Sequence, residues 1–385
     1  MKHLLAVCLA IPFVLLPVLA EEPAGKVISP VLQPFVDSNS LAGAVALVAD
    51  KDKVLALEAV GFADIKGKKP MKTDAIFWIA SMTKPITATA LMILVDEGKV
   101  KLDDPIEKYL PEFKDLWVAV EQDKEHVLLK KPKSSVTIRQ VLSHTSGMPF
   151  VSGMESPYLD QLSIRDAVRS YAITPLKTEP GTKYAYSNAG INTAGRIIEV
   201  VSGMSYEDFL QKRIFDPLGM KDSTFWPTEQ QSARIALTYK PNKEKNGLES
   251  MPIAVFQHPL TDRKRHPLPG GGLFSTASDI GRFCQMLLNG GTLDGKRIVT
   301  ESAVKEMAIK QTGDALKDNY GLGWAVTPDG FGHGGAYATN MTIDTKRGLV
   351  LVWMVQSAGG YPGDGGKAFP TFTKTAQDKF GVVKK

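Results

Sequence analysis

The chain has 385 residues, 43% of them apolar, and its 46 Lys and Arg against 41 Asp and Glu leave a formal charge of +5. That is too mild and too evenly spread for a nucleic-acid partner, and the apolar share suffices for one large core or two interleaved domains. The one compact basic run, Arg263-Lys264-Arg265-His266, stands between Pro259 and Pro267 and reads as a solvated loop.

Residues 1–20 read as a secretory signal peptide. Lys2 supplies the charge, residues 4–19 the apolar run, and Val18-Leu-Ala20 a small-residue cleavage site before Glu21-Glu22. Pro12, Pro17 and the shortness of the run exclude a stable membrane span after signal removal. The expected location is the periplasm or the medium. Cys8 leaves with the signal, so Cys284 has no disulfide partner and reads as a small buried apolar side chain.

A helix is predicted over 27–40, interrupted by Pro30 and Pro34. Strands follow at 43–49 and 54–60, joined by a turn at 50–53, with a polar connection over 61–76. The run Ile79-Ala-Ser81-Met-Thr-Lys84-Pro85 then opens a helix that Gly98 ends, with Ile86, Ala90, Leu91, Ile93 and Leu94 spaced for burial. Positions i and i+3 share a helix face, so Lys84 stands over Ser81 as an amine over a hydroxyl that needs a base. The helix start favours negative charge developing there, and proline is tolerated in a first turn. Spacing alone decides little. Ser302-x-x-Lys305 has the same spacing and reads as a solvated helix face.

A short helix runs from 102 to 109, and 118–133 reads as a surface hairpin. A helix over 137–142 leads into Ser143-His144-Thr145, where His144 is expected to bond to backbone. A turn at 179–182 delivers Tyr184-Ala-Tyr186-Ser-Asn188, followed by helices over 191–202 and 206–214, the latter closed by Pro217 and Gly219. Residues 226–269 read as a long surface loop. After Gly270-Gly-Gly272, Thr276 and Asp279 resemble a capping box for a helix through Leu288. The last helix before the sheet returns spans 301–311. Strands are predicted over 320–326, 339–344 and 349–355, with 331–336 entering the second, and a helix over 368–380. Strands at both ends predict an α/β (α+β) fold. Residues 21–75 and 290–385 form an antiparallel sheet flanked by helices, with a mainly helical insertion at 76–289.

Three motifs in order, Ser81-x-x-Lys84, Tyr186-x-Asn188 and His333-Gly334-Gly335, resemble those of the serine penicillin-recognising enzymes. That group includes class C β-lactamases, DD-peptidases, D-aminopeptidases and family VIII esterases. Leu102-Asp-Asp-Pro105, Leu142-Ser-His-Thr-Ser-Gly-Met-Pro149, Pro217-Leu-Gly-Met220 and Gly270-Gly-Gly-Leu-Phe-Ser-Thr276 extend the resemblance over about 27–360. It implies that Ser81 attacks a carbonyl and carries the acyl group, with Lys84 easing its deprotonation. It makes Tyr186 the base, as phenolate or through proton exchange with Lys84, and then the donor to the leaving group. Asn188 would bond the substrate or Lys84, and the N–H groups of Ser81 and Ala336 would form the oxyanion hole.

The third motif departs from the Lys-Thr-Gly of class C enzymes. Gly334 removes a hydroxyl that helps hold a β-lactam carboxylate, and His333 turns a fixed charge into a titratable one. The resemblance thus implies an exported serine hydrolase acting through an acyl-enzyme on small-molecule esters or D-amino-acid amides. The alternatives are a DD-peptidase or weak β-lactamase with a peptidoglycan-type substrate, and a non-catalytic binding protein. No cofactor is expected. The six histidines lack the paired spacing of a zinc site, and no Gly-x-Ser-x-Gly elbow is present.

Overall fold

The computed structural model describes residues 25–382, so the signal peptide at 1–20 lies outside the described residues. Seven antiparallel strands form the main sheet: β1 (Gly43–Ala49), β2 (Val54–Asp64), β3 (Lys69–Pro70), β4 (Ala325–Thr327), β5 (Gly330–Gly334), β6 (Asn340–Asp344) and β7 (Leu349–Met354). Their order is β4-β5-β6-β7-β1-β2-β3, so the N- and C-terminal segments meet at the centre, where Val45 faces Met354 and Ala49 faces Val350.

β1 is buried on both faces, and its period of two divides two cores. Val45, Leu47 and Ala49 join Val350, Val352 and Met354 in the larger core. Ala44, Ala46 and Val48 join Leu349, Leu351 and Trp353 in the smaller. Helix α4 (Ala277–Leu288) covers the first face, where a Cβ on Gly281 would come 2.9 Å from Leu47. Helices α1 (Ser29–Asp37) and α5 (Ala368–Phe380) cover the second. Two more helices position the site: α2 (Thr83–Asp96) and α3 (Asn188–Ser202).

Several boundaries differ from the sequence reading. Pro30 lies in the first turn of α1, where its missing N–H costs nothing, and α1 continues through Pro34, which lies inside it. β2 continues to Asp64 and pairs with β3, so 61–76 is not wholly a connection. Residues 331–336 do not enter the strand at 339–344, because β5 is a separate strand that pairs with it. Only the last two residues of the 320–326 stretch are strand, in β4, which runs on to Thr327. The preceding Gly323 takes a positive φ of 80° where a Cβ would meet Ala88 at 2.5 Å. The stretch at 102–109 holds only a 3₁₀ turn, Ile106–Lys108. α3 starts three residues early, at Asn188, capped by the Ser187 hydroxyl. The helix from Tyr206 continues past Pro217 to Leu218. The helix at Glu301 stops at Ala308. Thr276 caps α4, but the Asp279 carboxylate turns instead to the Asp222 N–H and the Ser223 hydroxyl, so the box is half formed. The hairpin of Val118–Gln122 with Val127–Lys130 forms as expected, and burial pushes the Cys284 thiol up.

The largest correction concerns 226–269. It holds a helical turn, Glu229–Ser232, and a hairpin of Thr238–Pro241 with Leu248–Met251. Arg265, read as solvated, is 2% exposed and lies 3.4 Å from the fully buried Asp160. Its guanidinium stacks 4.1 Å from the Phe256 ring and donates to the Phe225 and Leu260 carbonyls. Asp160 accepts the Gln257 N–H, so the pair ties this segment to the 148–165 loop. Asp160→Asn leaves a guanidinium buried without its counter-charge, and the expected loss is about 3 kcal/mol or more of unfolding free energy. Equilibrium denaturation checks it, and the double variant with Arg265→Met should recover part of the loss. An unchanged midpoint in the single variant would contradict this account.

Candidate active site

The chain reaches Ser81 along a short bridge, Phe77–Trp78 paired with Phe274–Ser275. Ala80 then takes a φ of 45°, a left-handed conformation that costs an alanine about 1 kcal/mol or more. A 3₁₀ turn, Ala80–Met82, passes into α2. Every residue of α2 from Thr83 to Leu94 is buried, as befits a helix running through the centre of a core.

Lys84 is fully buried. Its Nζ donates to Ser81 Oγ at 3.0 Å and to the Gly270 carbonyl at 2.5 Å, and it stands 4.7 Å from the centre of the Tyr186 ring. Among the described residues no carboxylate pairs with it. Burial without a counter-charge pulls the amine down to about 7. Near neutral pH the amine therefore titrates, and its unprotonated form can face the serine hydroxyl.

Gly270 is held from several sides. Its N–H donates to Asn192 Oδ1 at 2.9 Å, Thr87 Oγ1 donates to the Pro269 carbonyl, and Trp78 Nε1 donates to the Gly271 carbonyl. A Cβ on Gly270 would come 3.0 Å from Asn188 Oδ1 and 3.2 Å from Asn192 Oδ1, so the glycine permits the close approach. The Asn192 amide is oriented in turn. Its Nδ2 donates to Tyr171 Oη at 2.9 Å, and that hydroxyl donates to Glu155 Oε1 at 2.7 Å. Burial pushes the Glu155 carboxyl up. Asn192, Tyr171 and Glu155 escaped the sequence reading. The glycine run was the only signal pointing to this place.

Tyr186 lies just before α3. Burial pushes its phenol well above the usual range, although nearby Ser81 lowers it somewhat. The phenolate is therefore the less accessible of the two forms of base. Its hydroxyl is 3.5 Å from His333 Nε2.

His333 sits on β5 opposite Met341. Its Nδ1 is 2.7 Å from the Gly334 carbonyl and must carry the proton, so Nε2 accepts, from the Tyr320 hydroxyl at 2.9 Å. On the far side His144 Nδ1 accepts the Ser187 N–H at 3.2 Å, leaving Nε2–H to donate to Tyr320 at 3.3 Å. The hydrogens thus run one way, from His144 through Tyr320 to His333. His144 is the backbone-bonded histidine expected, with a second duty toward Tyr320. Burial and the Lys84 charge pull His333 down to about 3. The titratable positive charge expected there is thus a neutral ring over the working range.

Beyond His333 the chain turns through Gly335–Ala338. A Cβ on Gly335 would meet Thr339 Oγ1 at 2.1 Å and the Ile79 carbonyl at 2.5 Å, so glycine lets this turn lie against the segment leading to Ser81. A Cβ on Gly334 would make only ordinary contacts, at 3.6 Å, so its lack of a side chain opens space. Ala336 is exposed in the turn. Among the described residues neither its N–H nor that of Ser81 donates to a backbone carbonyl. Asn188 is brought beside Gly270, but its buried Oδ1 has no partner among the described residues, and the bond to Lys84 is not made. A cavity of about 300 Å³ opens beside Tyr186 and His333. A larger depression of about 640 Å³ along β2 contains none of these groups.

Comparison with known proteins bears on this geometry. The model of the Beta-lactamase family matches residues 28–369. Protein Rv1367c of Mycobacterium tuberculosis is 32% identical, over 89% of this chain and 94% of its own. Esterase EstB of Burkholderia gladioli is 29% identical, over 83% of this chain and 86% of its own. Among solved structures, simvastatin synthase (LovD) of Aspergillus terreus superimposes with a TM-score of 0.78 at 21% identity, covering 91% of this chain and 98% of that one.

Proposed function

The chain belongs to the Beta-lactamase family and is a serine hydrolase, and from that premise we propose that it cleaves carboxylic esters through an acyl-enzyme on Ser81. The observation that carries the proposal is the buried Lys84 amine, drawn to about 7 and 3.0 Å from Ser81 Oγ. The free amine takes the Ser81 proton as Oγ bonds to the carbonyl carbon. The N–H groups of Ser81 and Ala336 face the developing oxyanion. Tyr186 gives its proton to the departing alkoxide and takes one back from Lys84, beneath its ring, so the alcohol leaves and the amine is free again. Water then repeats the sequence in place of the alcohol.

The ester reading is favoured over a carboxypeptidase by charge. A peptide ending in a carboxylate needs a cation or a free donor near the third motif. His333 is neutral there, with its Nδ1–H already given to the Gly334 carbonyl. Export through a signal peptide at 1–20 completes the proposal.

The test is intact mass of residues 21–385 after brief exposure to an activated short-chain ester and, separately, to benzylpenicillin. Ester turnover with a transient adduct on Ser81 and no lasting penicillin adduct is expected. A lasting penicillin adduct would favour the peptidase. Neither turnover nor adduct would favour the binding protein.

A further inference from the structure

The cavity beside Tyr186 has a chemistry of its own. Tyr184, Tyr186 and Tyr320 wall it, His333 closes one side, and Asp318 and Asn319 stand at its rim. Two of its donors are already engaged within the wall. The Tyr320 hydroxyl is given to His333, and the His333 Nδ1–H to the Gly334 carbonyl. The Lys84 amine lies against the Tyr186 ring, bonded to Ser81 and Gly270.

Asp318 by contrast is exposed and has no ion pair among the described residues. Burial, and after it the Asp318 charge, push the Tyr184 phenol up to about 12. The rim is anchored, since Thr312 donates to the Asp318 carbonyl, and the Asn319 and Tyr320 carbonyls accept from the Val326 and Gln311 N–H groups. The exposed Lys183 and Lys317 lie outside the lining. A free carboxylate over tyrosine side chains is the pairing that recognises a substituted ammonium group.

We propose that this cavity is the subsite for the alcohol portion of the substrate, and that it selects a substituted ammonium group over a neutral or anionic one. The assignment to the alcohol side rests on the ester reading above, because the wall includes Tyr186, the donor to the departing oxygen. The volume, about 300 Å³, admits a trimethylammonium group with room to spare.

The test compares butyrylcholine with 3,3-dimethylbutyl butyrate, which replaces the ammonium nitrogen by carbon and keeps the shape. The expected ratio of kcat/KM is about tenfold in favour of the cation, diminishing as salt is raised. Asp318→Lys, an exposed change, should invert the preference. Equal rates on the two esters, or a ratio that Asp318→Lys leaves in place, would overturn the subsite while leaving the esterase standing. Saturation-transfer NMR of choline against 3,3-dimethylbutanol on the Ser81→Ala protein reads the subsite without hydrolysis. Choline contact that Asp318→Lys abolishes, in an enzyme that cleaves neither ester, would keep the subsite and sink the ester reading. No difference between the two alcohols would sink the subsite.

Discussion

Replacing Ser81 by alanine is expected to lower kcat by a factor on the order of 10⁴ to 10⁶, the range in which loss of a nucleophile leaves only binding and oxyanion stabilisation. The side chain is half-buried at the end of a strained turn, and its hydroxyl receives one hydrogen bond, from Lys84. Its loss removes chemistry and little packing, so the unfolding midpoint should stay close to that of the parent. The control is Ser302→Ala. Ser302 and Lys305 have the same i, i+3 spacing, but Lys305 is 73% exposed and pairs with Glu301 at 2.7 Å. Its amine is solvated and engaged, and among the described residues Ser302 bonds only to the neighbouring Thr300 hydroxyl. Steady-state hydrolysis of one short ester by the parent and both variants decides the matter. Activity retained in Ser81→Ala would remove Ser81 from the mechanism, and activity lost in Ser302→Ala would contradict the reading of Ser302 as a solvated helix face.

That contrast marks where sequence was informative and where it was not. Periodicity is local, so β1 and α5 fall on their predicted residues and the central pairing of β1 with β7 follows from two apolar runs. Ser81, Lys84 and Tyr186 were legible as candidates because the chemistry proposed for them resides in the side chains themselves. What their chemistry depends on was not. Nothing in the sequence near Glu155, Tyr171 or Asn192 says that the three line up behind Gly270, since each link joins distant parts of the chain. The charge on His333 was misjudged for the same reason. A histidine alone is titratable, and only Tyr320, Gly334 and the buried Lys84 make it neutral. Arg265 was misread in the opposite way. A basic run between prolines looks solvated until Asp160, 105 positions earlier by number, takes one arginine of the two into the interior. Pro30 shows the finer limit, because a proline ends a helix or begins one according to a boundary that composition does not fix.

The pH dependence should report Lys84 directly. Its amine falls from an ordinary 10.5 to about 7 because burial disfavours the ammonium. Below that value the amine is protonated and has no lone pair for the Ser81 proton. kcat/KM should therefore rise with pH through about 7 and level off in the mildly alkaline range. A Tyr186 phenolate acting as base would behave differently, since burial raises the phenol, and the rate would still be climbing past pH 10. Lys84→Arg keeps the charge but supplies no base, and should lose about 10³-fold or more together with the limb near 7. Stability offers a second reading of the same proton. In the unfolded chain the lysine keeps its ordinary value, so between about 7 and 10.5 the unfolded state binds more protons than the folded one. Its contribution therefore makes unfolding free energy rise with pH across that window, by a few kcal/mol at most. Lys84→Met removes that contribution, and the difference between parent and variant should narrow as pH rises. Denaturant midpoints of the two from pH 6 to 10 measure it. A constant difference would mean that Lys84 holds its proton in the folded enzyme, and the base would have to be sought elsewhere.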